Sequence, residues 1–306
     1  MNKERRMVNV PVATVWTNAE SSRDVDREAI SSSADVEKWI GSLDYGQLLD
    51  LCEGNRVQTQ VLFNEEVILL EEKDEWCSVL IPSQPSSKNP DGYPGWIPSC
   101  QLSALMENVA GLPVAMVRNQ RAKVVFGDES EWTVSYGTCF RVAGTKNEKI
   151  LVHTPKGLAQ ILKKDASLFP AFHEMVPGKG GDILSSAEVF VGLPYLWGGM
   201  SAFGYDCSGF TYNMCRANGY IIPRDAHDQA VKGDSIPLEE MEPGDLLFFA
   251  YEEGKGEIHH VAFYYGNEHI IHAPKTGKNV EIIPLKGMEY EKELCAVRRY
   301  TREAAK

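Results

Sequence analysis

No two of the seven cysteines stand at CxxC spacing, and an odd number cannot all pair within one chain. That pattern argues against a zinc ribbon or a disulfide framework. Cysteines 52, 77, 100, 139, 215 and 295 are therefore expected to be small buried apolar residues, with Cys207 set apart below. No apolar run is long enough to span a bilayer, which takes roughly 18 residues. The start, MNKERRMVNVPVATVW, is basic, but Asn9, Pro11 and Thr14 interrupt its apolar stretch and no A-x-A-like cleavage site follows. A cytoplasmic protein is expected; a secreted one that had lost its leader would read the same. Positive charge is scarce too, with 31 Lys and Arg against 43 Asp and Glu and a net charge of −12. This balance argues against nucleic acid, anionic wall polymers and lipid surfaces as partners, and favours a small soluble substrate.

What is present reads as an ordinary globular chain, 43 % hydrophobic and 24 % charged over 306 residues. Three segments emerge. Residues 8–105 mix strand-like runs such as RVQTQVLF and EVILLEE with the turn-rich PSQPSSKNPDGYPG, and period-2 alternation runs through Val57, Thr59, Val61 and Phe63. Between the first two runs, ADVEKWIGSLDYGQLLDLC has apolar residues at helical spacing and reads as a helical insertion at about 34–52. Residues 106–172 repeat the short-strand theme more faintly, and small β units of this kind close into barrels or sandwiches. Residues 180–306 change texture: a helix with Ser185 and Ser186 as candidate caps, a second helix at DCSGFTYNMCRANG, then strand-like runs. Helices first and antiparallel strands later make an α+β domain.

The chemistry centres on Cys207. Asp206 is a strong N-cap residue, Gly219 stands where a C′ glycine belongs, and Phe210 and Met214 mark the inward face. Cys207 then falls in the first helical turn, where the macrodipole favours a thiolate. A thiolate needs a base. In IHHVAFYY, alternation places His260, Ala262 and Tyr264 on one face, and the next run carries His272. The two histidines share a face only if their hairpin loop is odd in length, and a three-residue loop centred on Gly266 or Asn267 meets that condition. One imidazole then orients the other. His269 and His272 fall on opposite sides of a strand, so no metal site is expected.

The ordered runs Leu193-Pro194-Tyr195-Leu196-Trp197-Gly198-Gly199, Asp206-Cys207-Ser208-Gly209-Phe210, Pro223-Arg224, Pro243-Gly244-Asp245, His260-Val261-Ala262 and Ile271-His272-Ala273 resemble the NlpC family of papain-like cell-wall peptidases. The resemblance covers essentially all of residues 180–300. It implies Cys207 as nucleophile, His260 as base, His272 as its orienter, Tyr195 near the oxyanion site, and Asp206 and Ser208 as substrate contacts. It implies no cofactor.

The front half looks like the SH3-like units of cytoplasmic γ-D-glutamyl-L-diamino-acid endopeptidases of muropeptide recycling, in which a barrel closes one end of the cleft. The implied substrate is a short peptidoglycan peptide with a free amino-terminal L-Ala. By the same resemblance Tyr93 would reach the substrate amine, with Gln58, Glu65 and Glu66 as candidates for an accompanying barrel partner, and Asp206 could pair with the ammonium. Two other readings compete: a secreted wall-lytic endopeptidase acting on polymeric stem peptides, and a non-catalytic wall-peptide-binding module.

Overall fold

A computed structural model of the protein describes residues 3–301, so the sequence-based domain end at 306 lies outside the described residues. The chain forms two compact units, one of residues 3–83, 88–175 and 200–203, the other of 84–87, 176–199 and 204–301. The fold is α+β.

The first unit holds two antiparallel sheets of seven strands each. In the first the order is Val57–Leu62, Val12–Trp16, Tyr93–Pro98, Trp76–Ile81, Glu66–Lys73, Arg5–Val8, Leu102–Ala104. Numbering strands along the chain within each sheet gives 3-2-6-5-4-1-7 for both. The fainter second segment therefore repeats the topology of the first. Each also carries a 3₁₀ turn before its last strand, Ser99–Gln101 in one and Lys163–Asp165 in the other. Both sheets are SH3-like but open, since strands 3 and 7 end each order without pairing to one another among the described residues. Their cores are alternating apolar residues, Val15, Val61, Val79 and Ile97 in the first and Val124, Phe140, Ile150 and Ile161 in the second.

The expected helical insertion is two main helices, Val36–Ser42 and Tyr45–Glu53. The break has a local cause. Asp44 accepts from Gln47 N while the Gln47 side chain accepts from Asp44 N, a capping box that starts a new helix.

In the second unit, helix Gly180–Glu188 begins ahead of its expected serine caps, because the Asp182 carboxylate accepts from Lys179 N at 2.7 Å. Ser185 and Ser186 instead donate back to Gly181 O and Asp182 O within the helix. Helix Cys207–Ala217 is capped as expected: Asp206 accepts from Gly209 N, and Gly219 (φ +86°) closes a Schellman motif with Tyr220 N donating to Cys215 O. One face was expected to be buried, yet every residue from Ser208 to Ala217 is buried. Its polar side chains are accordingly partnered, Asn213 to Gly209 O and Thr211 to Gln229 Oε1. The helix packs on a six-stranded antiparallel sheet, Phe210 against Phe263, with strand order Asp234–Ser235, Leu294–Arg299, Leu246–Ala250, Ile258–Gly266, His269–His272, Glu281–Pro284.

All seven cysteines are outside disulfides, but of the six expected as buried packing only Cys77 and Cys215 are buried. Cys52 and Cys139 are partly covered and Cys100 and Cys295 exposed; Cys139 alternates with the core residues Phe140 and Val142 and so points to the other face of its strand. No helix among the described residues is long and apolar enough to cross a membrane.

The hairpin joining the two histidine strands departs from the expected three-residue loop. Phe263 faces Ile271 and Tyr264 faces Ile270, then the register shifts so that Gly266 faces His269. Tyr265 is the extra residue of a bulge, and Asn267 (φ +50°) and Glu268 (φ +59°) form a two-residue turn of the I′ kind. One bulge plus two turn residues keeps the odd count. Glutamate in the left-handed region is strained where glycine is not. Glu268→Gly should therefore stabilise the protein by about 1 kcal/mol, less the exposed Lys286 contact, as read by chemical denaturation.

Candidate active site

Continuing that register sets His272 opposite Ala262, so His260, two residues before Ala262, is its diagonal neighbour on one face. The side chains meet there, His260 Nε2 to His272 Nδ1 at 2.7 Å with the rings nearly perpendicular at 71°. Both are buried, at 2 % and 0 % exposure. Beyond them, His272 Nε2 makes no hydrogen bond, and Glu281 Oε1 lies 3.6 Å away. If Nε2 of His260 donates to His272, then His260 Nδ1 is the basic nitrogen, and His272 keeps its own proton on Nε2 toward Glu281.

Cys207, at the start of its helix, is only partly covered. The main chain of Val261, the residue after His260, hydrogen-bonds the sulfur, as does that of Ser208. A thiolate was expected from the helix terminus. Burial, aided by the Asp206 carboxylate, instead pushes the thiol up to about 12, against the opposing pull of those two main-chain groups and Arg224. Burial likewise holds His260 well below the ordinary imidazole range, with His272 and His259 adding to it, and lowers His272 to about 4. The resting pair is a neutral thiol and a neutral imidazole.

Asp206 and Ser208 sit inside a buried network that the sequence did not disclose. Arg224, 1 % exposed, donates to Asp206 Oδ2 at 2.6 Å, to Oδ1 at 3.1 Å and to Ser208 Oγ at 2.9 Å. Oδ1 also caps the helix through Gly209 N at 2.6 Å. Both carboxylate oxygens are thus already engaged. Tyr195 is buried in the same unit. Its N–H donates to Lys278 O, and it bridges to Tyr205 immediately before Asp206.

Tyr93 belongs to the other unit. It is a core residue of the first sheet, 2 % exposed, with the Lys88 ammonium hydrogen-bonded to its hydroxyl and 4.3 Å from its ring centroid. Of the candidates for a partner beside it, Gln58 accepts from Lys88 at 2.9 Å, Glu65 accepts from Ser83 Oγ, and Glu66 pairs with Arg5. As for metal ligands, His269 is half-buried and bonded to Asn267 O, away from His272. Asp225, His227 and Asp228 bring ligand atoms within 4.8 Å of one another, but Asp228 already accepts from Ser87 N at 2.8 Å.

Three residues escaped sequence reasoning as site members: Arg224, Glu281 and Tyr290. Arg224 was visible only as part of a motif. Glu281 could have been found as the residue paired with His272 on the next strand. Tyr290, whose ring touches both imidazoles, carries no sequence signal.

Two outcomes follow from these environments. Arg224→Met leaves the Asp206 carboxylate buried and unpaired, and should cost about 3–5 kcal/mol in a denaturant titration. His272 has a native pKa below its unfolded value, so the unfolded chain binds more protons between pH 6.5 and about 4. Its share of stability is complete above pH 6.5 and falls by about 3 kcal/mol as pH drops through that window. Thermal melts across this range should decline less steeply for His272→Asn than for the wild type.

The NlpC/P60 family description matches residues 192–299. A gamma-D-glutamyl-L-lysine dipeptidyl-peptidase of Bacillus subtilis (strain 168) is 44 % identical over 288 residues, covering 94 % of this chain and 96 % of that one. A protein of the same name from Bacillus cereus (strain ATCC 10987 / NRS 248) is 35 % identical over 303 residues, covering 97 % and 91 %. The crystal structure of an NlpC/P60 family protein from Bacillus cereus ATCC 10987 superposes with a TM-score of 0.94 at 34 % identity, covering 97 % and 99 %. With such likeness along nearly the whole of both chains, this protein belongs to the NlpC/P60 family and is a cysteine peptidase.

Proposed function

We propose that the protein hydrolyses the γ-D-glutamyl to L-diamino-acid bond of short peptidoglycan peptides that carry a free amino-terminal L-Ala. The observation that carries this reading is the buried His260–His272 pair beside a cysteine at a helix N-terminus. Its substrate side is supported by the name shared by both Bacillus relatives, since a dipeptidyl-peptidase counts its bond from a free amino end.

In the first step Cys207 Sγ attacks the γ-carbonyl carbon while its proton passes to His260 Nδ1, so charge appears only as the bond forms. Main-chain amides at the helix start and the Tyr195 hydroxyl would hold the resulting oxyanion. The His260 proton then moves to the amine of the diamino acid, which leaves, and a thioester remains on Cys207. Water, deprotonated by His260, attacks that thioester and releases L-Ala-γ-D-Glu. His272 orients His260 throughout, with Glu281 behind it.

Asp206 and Ser208 would contact the substrate as members of the Arg224 network. For Tyr93, the Lys88 ammonium beside its hydroxyl makes it a poor lone receptor for a second ammonium. If it serves, it does so as a hydrogen-bond acceptor with Lys88 moved aside. A role in recycling wall peptides inside the cell suits the net charge of −12, which disfavours anionic wall polymers.

The test is incubation with L-Ala-γ-D-Glu-L-Lys and its N-acetylated form, read by mass spectrometry. Cleavage of the free-amine peptide alone is expected; equal cleavage of both would replace this reading with an open, wall-lytic site. Cys207→Ala should lower kcat/KM by at least ~10³-fold and His272→Asn by ~10²- to 10⁴-fold.

A further inference from the structure

A single hydrogen bond does not fix an imidazole. Rotation of a histidine ring about its Cβ–Cγ bond is a broad, soft torsion, and a contact at Nε2 restrains one atom only. For His260 Nδ1 to point steadily at the sulfur, the faces of the ring must also be packed. Tyr290, from the turn Glu289–Glu293, does this. Its ring centroid lies 5.2 Å from that of His260 at a tilt of 31°, and 5.2 Å from that of His272 at 85°. Behind it stands Phe249, 5.0 Å from Tyr290 and 5.7 Å from His260. Offset and edge-on contacts of this kind are the favoured aromatic arrangements. Tyr290 thus braces both members of the pair at once, while its half-buried hydroxyl makes no hydrogen bond among the described residues.

We propose that Tyr290 is a positioning residue, whose ring holds the His260 imidazole in the plane that presents Nδ1 to Cys207 and keeps water off the His260–His272 bond. This rests on the reading of Cys207 and His260 as nucleophile and base. Burial, with Cys207, Glu293, Glu281 and Glu289 nearby, pushes the Tyr290 phenol up to about 12, so it stays neutral and acts by packing. The other titratable groups around the pair are His259, stacked on Tyr251 and 3.3 Å from Glu293, and Glu281 against His272.

The test uses the full chain without substrate. Histidine rings labelled with ¹⁵N are titrated by NMR in the wild type, Tyr290→Phe and Tyr290→Leu, with His260 assigned from His260→Ala. In Tyr290→Leu, water reaches the pair and the His260 titration should move up toward that of a solvated imidazole. Cleavage of the tripeptide should show kcat down by about 10- to 100-fold with KM nearly unchanged, the mark of lost alignment. Tyr290→Phe, which keeps the ring, should restore both. A His260 titration in Tyr290→Leu that superposes on the wild type overturns the proposal. So does a loss in Tyr290→Phe equal to that in Tyr290→Leu, which would assign the work to the hydroxyl. Tyr290→Met answers the same question if the leucine variant does not fold; unfolding of both would make the ring structural and also overturn it. If the wild type cleaves no such peptide, the proposed function fails while the titration still decides the role of Tyr290.

Discussion

The carboxylate of Asp206 does three things with two oxygens: it caps the helix that begins at Cys207, receives a bidentate guanidinium, and places a negative charge beside a thiol. These tasks constrain one another. A buried carboxylate is tolerable because Arg224 is buried with it, and Asp206 and Ser208 in turn accept hydrogen bonds from the guanidinium. The pair therefore ties the segment carrying Arg224 to the start of the helix, and the helix start in turn fixes Cys207. The same charge adds to burial in opposing ionisation of the sulfur, so the residue that fixes the start of the helix also helps to keep Cys207 protonated.

That arrangement favours a reactive centre that is quiet at rest. Neutral thiol and neutral imidazole avoid the cost of two buried charges, and separation of charge is postponed to the moment when substrate occupies the site. A permanently ionised cysteine would be open to alkylation and oxidation by whatever reached it. A protonated thiol is a far weaker nucleophile and so less open to both.

How much of this could be read beforehand depends on the range over which each feature is encoded. Asp206 and Gly219 bracket their helix within a few residues, and the caps form as their chemistry dictates. The shared face of His260 and His272 was a matter of counting, and it survived even though the bulge at Tyr265 supplied the odd residue in place of a longer loop. The helix break at Asp44 was equally local, written in Asp44 and Gln47 and passed over for the longer apolar period. What stayed hidden was nonlocal. Nothing near Arg224 announces that it reaches Asp206, and nothing near Tyr290 announces two imidazoles. The ionisation of Cys207 went the other way from expectation because a local cue, the helix terminus, was outweighed by burial that only the assembled fold creates.

The bulged hairpin has a consequence for how this region can change over time. Side chains on a strand alternate, so removing or adding one residue between Tyr264 and His269 would exchange His272 for a neighbour pointing to the opposite side of the sheet. A change of two would leave the pair facing each other, with only the diagonal to be recovered. Length variation in this loop is therefore filtered by parity: the hairpin can grow or shrink in steps of two and keep its chemistry, while every step of one must be matched by gaining or losing a bulge.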